Sequence, residues 1–236
     1  MNISYWNCQG LGNPLTTDAI RHFIMTYKLI FIGIAEPNIL FDNWNTFKWS
    51  SIGYKFVSQN LHESNRDHIW TLQHESMQVN DIIKKPQSIS MSCTISGCPL
   101  SISVVYASTS YIKWRELWKE MLEISKILNH KWVILWDFKT ILKPEEKAGD
   151  NFNRIASLEF SSCIDQCNIV EVPIVGADFT WIRYTLNGRQ ASNLDRCFVQ
   201  MDDRATANGV SGFTLPKHQS DHNPIMVEIS IHITWS

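Results

Sequence analysis

Leu29-Ile30-Phe31-Ile32-Gly33-Ile34-Ala35-Glu36 is a near-continuous apolar run that ends abruptly on a carboxylate. A strand that is apolar at odd and even positions alike buries both faces, as strands of parallel, helix-covered sheets do. Upstream, residues 2–6 form a second short strand, followed by Asn7-Cys8 and the turn Gln9-Gly10-Leu11-Gly12-Asn13-Pro14. Between the two, Thr16 or Thr17 can cap a helix through about Tyr27, with Ile20, Phe23, Ile24 and Tyr27 at i, i+3, i+4 and i+7. Strand, helix, strand predicts a parallel pair and an α/β class.

Beyond an irregular surface stretch at 37–51, the pattern becomes β-rich: 54–58, 67–73, 76–83, 88–95 and 100–107, the last two flanking the turn Ser96-Gly97-Cys98-Pro99. A helix is expected over 110–129, with Leu117, Met121, Ile124 and Leu128 as its core stripe. Residues 132–135 form a strand leading into Trp136-Asp137-Phe138-Lys139, and 144–150 is a polar loop. A second helix covers 154–167 with Ile155, Leu158 and Ile164 inward, and strands near 169–172, 178–183, 193–199 and 225–232 follow. Two β-rich halves, each with helices, most simply pack as two sheets with helices outside. No repeat or linker divides them, so one domain over 1–236 is expected.

The chain has 236 residues, 44% of them apolar, which is ordinary for a globular fold. No run approaches the roughly 18 apolar residues needed to span a bilayer. Met1-Asn2-Ile3-Ser4 lacks the basic and apolar regions of a secretory signal, so an intracellular, soluble protein is expected. The six cysteines include Cys163 and Cys167 four apart on a helix, but no matching His or Cys pair completes a zinc site. Reduced, mostly buried thiols are the expectation. A net charge of −2 argues against a strongly basic nucleic-acid surface, though not against a locally basic groove or a bridging cation.

Polar residues close the apolar segments: Asn7, Glu36, Tyr106, Asp137, Asp195 and Ser220-Asp221-His222-Asn223-Pro224. Each has an ordinary reading of its own. Glu36 can be a surface carboxylate, Asn7 can cap the turn after it, and Tyr106 can be a core phenol with one hydrogen bond. Asp195 can pair with Arg196 or Arg189, and His222 can cap a strand. Asp137, lodged between Trp136 and Phe138, needs a partner or a cation.

Taken in order, Trp6-Asn7-Cys8-Gln9-Gly10-Leu11-Gly12-Asn13-Pro14, Val105-Tyr106-Ala107-Ser108, the helix at Trp114-Arg115-Glu116-Leu117-Trp118, Asp178-Phe179-Thr180-Trp181, Asn193-Leu194-Asp195-Arg196 and Ser220-Asp221-His222-Asn223-Pro224 carry a resemblance. The chain resembles the endonuclease/exonuclease/phosphatase superfamily, specifically the endonuclease domain of plant LINE-type non-LTR retrotransposons, over essentially its whole length. The resemblance implies a DNase I-like four-layer α/β sandwich, with two mixed β-sheets face to face and helices outside. It implies a protein that nicks DNA by Mg²⁺-assisted hydrolysis, with Mn²⁺ as an alternative ion, and a nuclear substrate; a monomer is expected, although no residue pattern speaks to oligomeric state. It assigns Glu36, Asn7 and Asp221 to the metal and Tyr106, Asp137, Asp195 and His222 to catalysis. Asn7, Lys139 and His222 fall to the substrate phosphate.

Three departures stand out. The family's Gly-Asp-Phe-Asn is here Trp136-Asp137-Phe138-Lys139. Lysine only donates and can ion-pair with Asp137, whereas an amide also accepts; Trp136 either crowds the cleft or faces away from it. Glu36-Pro37-Asn38 stands for Glu-Thr-Lys, and the usual glycine-rich strand is Ser64-Asn65-Arg66-Asp67-His68-Ile69-Trp70. These changes, Lys139 above all, favour one alternative, a catalytically dead domain that binds nucleic acid or protein. A second alternative is a phosphatase for small or lipid phosphoesters, which would want extra basic groups for phosphate heads that the sequence does not cluster.

Overall fold

A computed structural model describes residues 1–41, 44, 47–61, 67–128, 131–149, 152–186, 188–200 and 209–230. Strand β1 (Asn2–Asn7) runs parallel to β2 (Leu29–Ala35), joined by helix α1 (Pro14–Tyr27), as the opening run predicts. The helix starts earlier than expected: Asn13, not a threonine, caps it by accepting from Leu15 N. Pro14 fits at the first helical position, where no amide is required.

Among the described residues, seven strands form the first sheet in the spatial order β10 (Ile174–Val175), β14 (Val210–Thr214), β15 (Ile225–Ile229), β1, β2, β4 (Asp67–His74) and β3 (Tyr54–Leu61). Six form the second: β5 (Met77–Lys85), β6 (Ser88–Ile95), β7 (Cys98–Tyr106), β8 (Trp132–Asp137), β13 (Asp195–Gln200) and β9 (Ile169–Val172). Both are mixed, with parallel pairs β1–β2 and β10–β14 in one and β7–β8 in the other. A separate hairpin, β11 (Trp181–Thr185) with β12 (Gly188–Ser192), stands beside them. The β6–β7 turn is Ser96-Gly97, both at positive φ, as a tight two-residue hairpin requires.

Three apolar clusters make four layers. Ile3, Tyr5, Phe31, Met91, Val104, Leu135 and Val227 fill the space between the sheets. Trp6, Ile20, Phe23, Ile34 and Trp70 lie where α1 covers the first sheet. Helices α3 (Tyr111–Ile127) and α4 (Arg154–Gln166) cover the second sheet through Leu117, Met121, Ile124, Trp136, Phe138 and Phe160. Alternation along each strand assigns the sides: Ile3 and Tyr5 face inward, Ser4 and Trp6 outward. At Gly33 the sheets approach so closely that a Cβ would lie 2.6 Å from Val104 Cγ2.

Several expectations change. Ile155 and Leu158 are 64% and 60% exposed; α4 instead buries Ala156, Phe160 and Cys163, because the Phe160 ring stacks on Phe138 and Trp118. Residues 37–51 contain a short helix, α2 (Phe47–Ser50), and β10, β12 and β14 add strands the sequence pattern did not mark. Residues 64–66 of the expected 64–70 segment, 231–232 of the last strand, and Asn129 and Asp150 lie outside the described residues. All six cysteines are free, and five are buried. No described helix is long and apolar enough to cross a membrane.

Candidate active site

The expected polar residues gather at one end of the sandwich, and strand register explains how. In the second sheet Tyr106 pairs with Asp137 across β7–β8, and Asp137 pairs with Asp195 across β13–β8. Register partners on adjacent strands point to the same face, so these three form one row. From the first sheet, Asn7 ends β1 on the inward face of Ile3 and Tyr5, and Glu36 follows β2 directly. His222 lies just before β15 and bridges to Trp181.

Asn7 joins these groups. Its Nδ2 donates to Glu36 Oε1 at 2.8 Å and Asp137 Oδ2 at 2.9 Å, and lies 3.4 Å from His222 Nε2. Tyr106 donates its hydroxyl to the same Glu36 Oε1 at 2.8 Å. His222 Nδ1 lies 2.8 Å from Asp195 Oδ2, which leaves Nε2 turned toward Asn7 and, at 3.9 Å, Asp137. The turn-capping reading of Asn7 and the arginine-pairing reading of Asp195 both give way: Arg196 is held by Glu146 and Glu171 instead. Asn7, Asp137, Asp195 and His222 are all at most 2% exposed.

The backbone is shaped to hold this arrangement. Glu36 has φ 49, a left-handed conformation rare outside glycine and asparagine, and its amide donates to His68 O at 3.0 Å. Pro37 is buried, and its carbonyl accepts from Leu11 N at 2.8 Å, tying the loop after β1 to the loop after β2. Ser220, Thr180 and Trp6, landmarks in the sequence with no role evident from residue type, hold the site from behind. Ser220 Oγ donates to Asn7 O and accepts from His222 N. Thr180 Oγ1 accepts from Leu194 N and Asp195 N, and Trp6 Nε1 donates to His222 O. Two missed neighbours are His68, whose ring stacks on Tyr106 with centroids 5.7 Å apart, and Arg183.

Asp221 reaches the cluster through His222 and is tied outward to an arginine: its Oδ1 lies 3.8 Å from His222 Nε2, and its Oδ2 accepts from Arg183 Nε at 2.7 Å. Lys139 donates to Asp137 Oδ2 at 2.8 Å, the ion pair expected from its type and spacing. Trp136, by contrast, does not crowd the cleft. Alternation turns it to the other side of β8, where it is fully buried against Trp118, Phe138, Phe160 and Phe198.

Electrostatics follow from this crowding. Burial alone would push the Asp137 carboxyl up, but Lys139, His222 and the hydrogen bonds from Lys139 and Asn7 outweigh it and hold it below its ordinary range. Burial would lower the His222 imidazole; Asp195 and Asp137 prevail and raise it. Asp195 itself is raised by complete burial, against the pull of His222. Burial and the Glu36 carboxylate lift the Tyr106 phenol far above its usual range, so it is a donor at any ordinary pH.

The cleft in front of these groups has a volume of about 470 Å³, and Glu36, Tyr106, Lys139, Lys147, Arg183 and His222 are among its walls. Asn7 Oδ1, Asp137 Oδ1 and Asp221 Oδ1 are buried without a hydrogen-bond partner among the described residues, and Asp137, Asp195 and His222 offer ligand atoms within 4.8 Å of one another. Unpartnered buried oxygens beside two further carboxylates suit a hard divalent cation.

The fold has known counterparts. The endonuclease domain of TRAS1, a telomere-specific non-LTR retrotransposon, superposes with a TM-score of 0.74 at 13% identity, over 98% of this chain and 99% of that one. This chain shares that fold, a DNase I-like α/β sandwich. An AP endonuclease from Archaeoglobus fulgidus matches with a TM-score of 0.75 at 12% identity, over 98% and 100% of the two chains. The 3′ phosphatase NExo from Neisseria, bound to a product DNA hairpin, matches with a TM-score of 0.73 at 16% identity, over 98% and 99%. No protein-family model matches the sequence, and no curated protein matches it by sequence either.

Proposed function

We propose that this chain is a single-domain, divalent-metal-dependent phosphodiesterase of retrotransposon type that nicks DNA, with Mg²⁺ as its ion and Mn²⁺ as a substitute. The observation that carries the reading is the Asn7 amide, which draws Glu36 from one loop, Asp137 from the opposite sheet and His222 from a third segment around one cleft. The retrotransposon endonuclease domain and the AP endonuclease that share the fold support the choice of a phosphodiester in DNA.

Glu36 and Asn7 Oδ1 would hold the ion, with Asp221 Oδ1 approaching from beside His222. The ion's chemistry is charge neutralisation on the phosphate and the leaving oxygen. Asp137, kept ionised by its neighbours, accepts the proton of the attacking water. Asp195 fixes the orientation of His222 through Nδ1, so that Nε2 faces the scissile phosphate. Tyr106 donates to a non-bridging oxygen, and Lys139 and Arg183 add positive charge to the cleft wall.

Conversion of supercoiled plasmid to the nicked form in Mg²⁺ tests this reading, with Glu36→Gln and His222→Ala as controls. Nicking that both substitutions abolish supports it; nicking that survives both overturns it. One contact favours a second reading, a site that binds nucleic acid without cutting: the Lys139–Asp137 ion pair burdens the proposed base. DNA retention without cleavage in the same assay would choose that alternative.

A further inference from the structure

Lys139 occupies an unusual place for a cation. Its ammonium donates to Asp137 Oδ2 at 2.8 Å and stands 4.9 Å from the centre of the Tyr106 ring, while its side chain is only 18% exposed. Phe138 between them turns the opposite way, into the layer under α3 and α4, and its amide is fixed to Leu194 O at 2.8 Å. The chain therefore carries Lys139 back to the same side as Asp137, two residues along, and holds it there. Asp137 Oδ2 already accepts from both Lys139 and Asn7, whereas Oδ1 accepts from nothing among the described residues.

We propose that Lys139 is a built-in competitor for the divalent ion, a tethered ammonium that neutralises part of the Glu36–Asp137 cluster and must be displaced before a metal is held tightly. The inference rests on the reading of that cluster as a metal site. Its physical basis is that an ammonium held on Asp137, one amide away from Glu36, repels a divalent ion held on Glu36 and Asn7, and that repulsion is weakly screened between buried groups. The lysine has somewhere to go, because the cleft beside it is about 470 Å³ and open to solvent. Divalent-ion affinity is thereby set low by a residue that need not ligate the ion.

The test is Mn²⁺ binding to the full chain without DNA, read by electron paramagnetic resonance of the free ion. Wild type is compared with Lys139→Met, Lys139→Gln and Lys139→Arg. Because one adjacent unit charge shifts a carboxylate's equilibrium by about one to three decades, Met and Gln should bind Mn²⁺ at least about tenfold tighter, and Arg should stay within about threefold of wild type. Equal affinity in all four proteins overturns the inference and leaves the metal site standing. No binding in any of them, or binding unchanged by Glu36→Gln, overturns both. Should the neutral variants fail to fold, wild type alone decides through amine labelling of Lys139 read by mass spectrometry. Saturating Mg²⁺ should increase that labelling, and labelling that Mg²⁺ leaves unchanged contradicts displacement.

Discussion

Asn7 and Asp137, 130 residues apart in the chain, meet at 2.9 Å where the end of a strand in one sheet faces the end of a strand in the other. The amide is the right group for that place. It donates to two carboxylates that would otherwise repel each other, and it keeps an acceptor free.

Asn7→Asp should therefore destabilise the protein in EDTA, because a donor becomes a third anion among buried acids. A loss of about 2 kcal/mol or more is expected, and Mg²⁺ should recover part of it. Thermal unfolding with and without Mg²⁺ measures both. Asn7→Ala should reduce nicking by about a hundredfold, the usual effect of losing one positioned polar group at a phosphoryl site.

Trp136→Gly should not improve catalysis, although glycine is the residue that the resemblance in sequence leads one to expect at this position. The indole lies in the aromatic layer between the second sheet and α3 and α4. Removing it leaves a cavity beside Phe138 and Phe160 and should cost about 3–5 kcal/mol. Denaturant unfolding reads the loss; a variant as stable as wild type and more active would contradict this placement.

His222 gives a pH signature. Asp195 and Asp137 raise its folded value above the ordinary 6.5. Its contribution to stability is therefore fully present below the unfolded value and fades as pH rises through the folded one. In EDTA, stability should decline across that window. An NMR titration of the imidazole should place its midpoint above 6.5 in the wild type and lower in Asp195→Asn. A midpoint that Asp195→Asn leaves in place would refute the pairing.

Some of this was legible from residues alone. The run from Leu29 to Glu36 revealed a two-face-buried strand with a carboxylate at its end, because neither parity of position is polar. The Lys139–Asp137 pair was legible because both partners lie two residues apart on one segment. The side taken by Trp136 follows from the same alternation, once Asp137 is known to face the cleft. The α4 face differs from expectation because Ile155 and Leu158, three residues apart, share one side of the helix and Phe160 lies on another, and only the stacking partners of Phe160 choose between the two. The strand Gly188–Ser192 carries Arg189 and Gln190 with no apolar alternation, since its hairpin stands outside the core. The supports of His222 from Ser220, Thr180 and Trp6 are long-range or backbone contacts, which side-chain type does not announce.

The most direct measurement is a crystal soaked in Mn²⁺ and recorded at the manganese absorption edge. The account predicts one strong anomalous peak at the cleft floor, within bonding distance of Glu36 and Asn7 and facing Asp137 and His222. No peak there, or a peak only elsewhere on the protein, would contradict it.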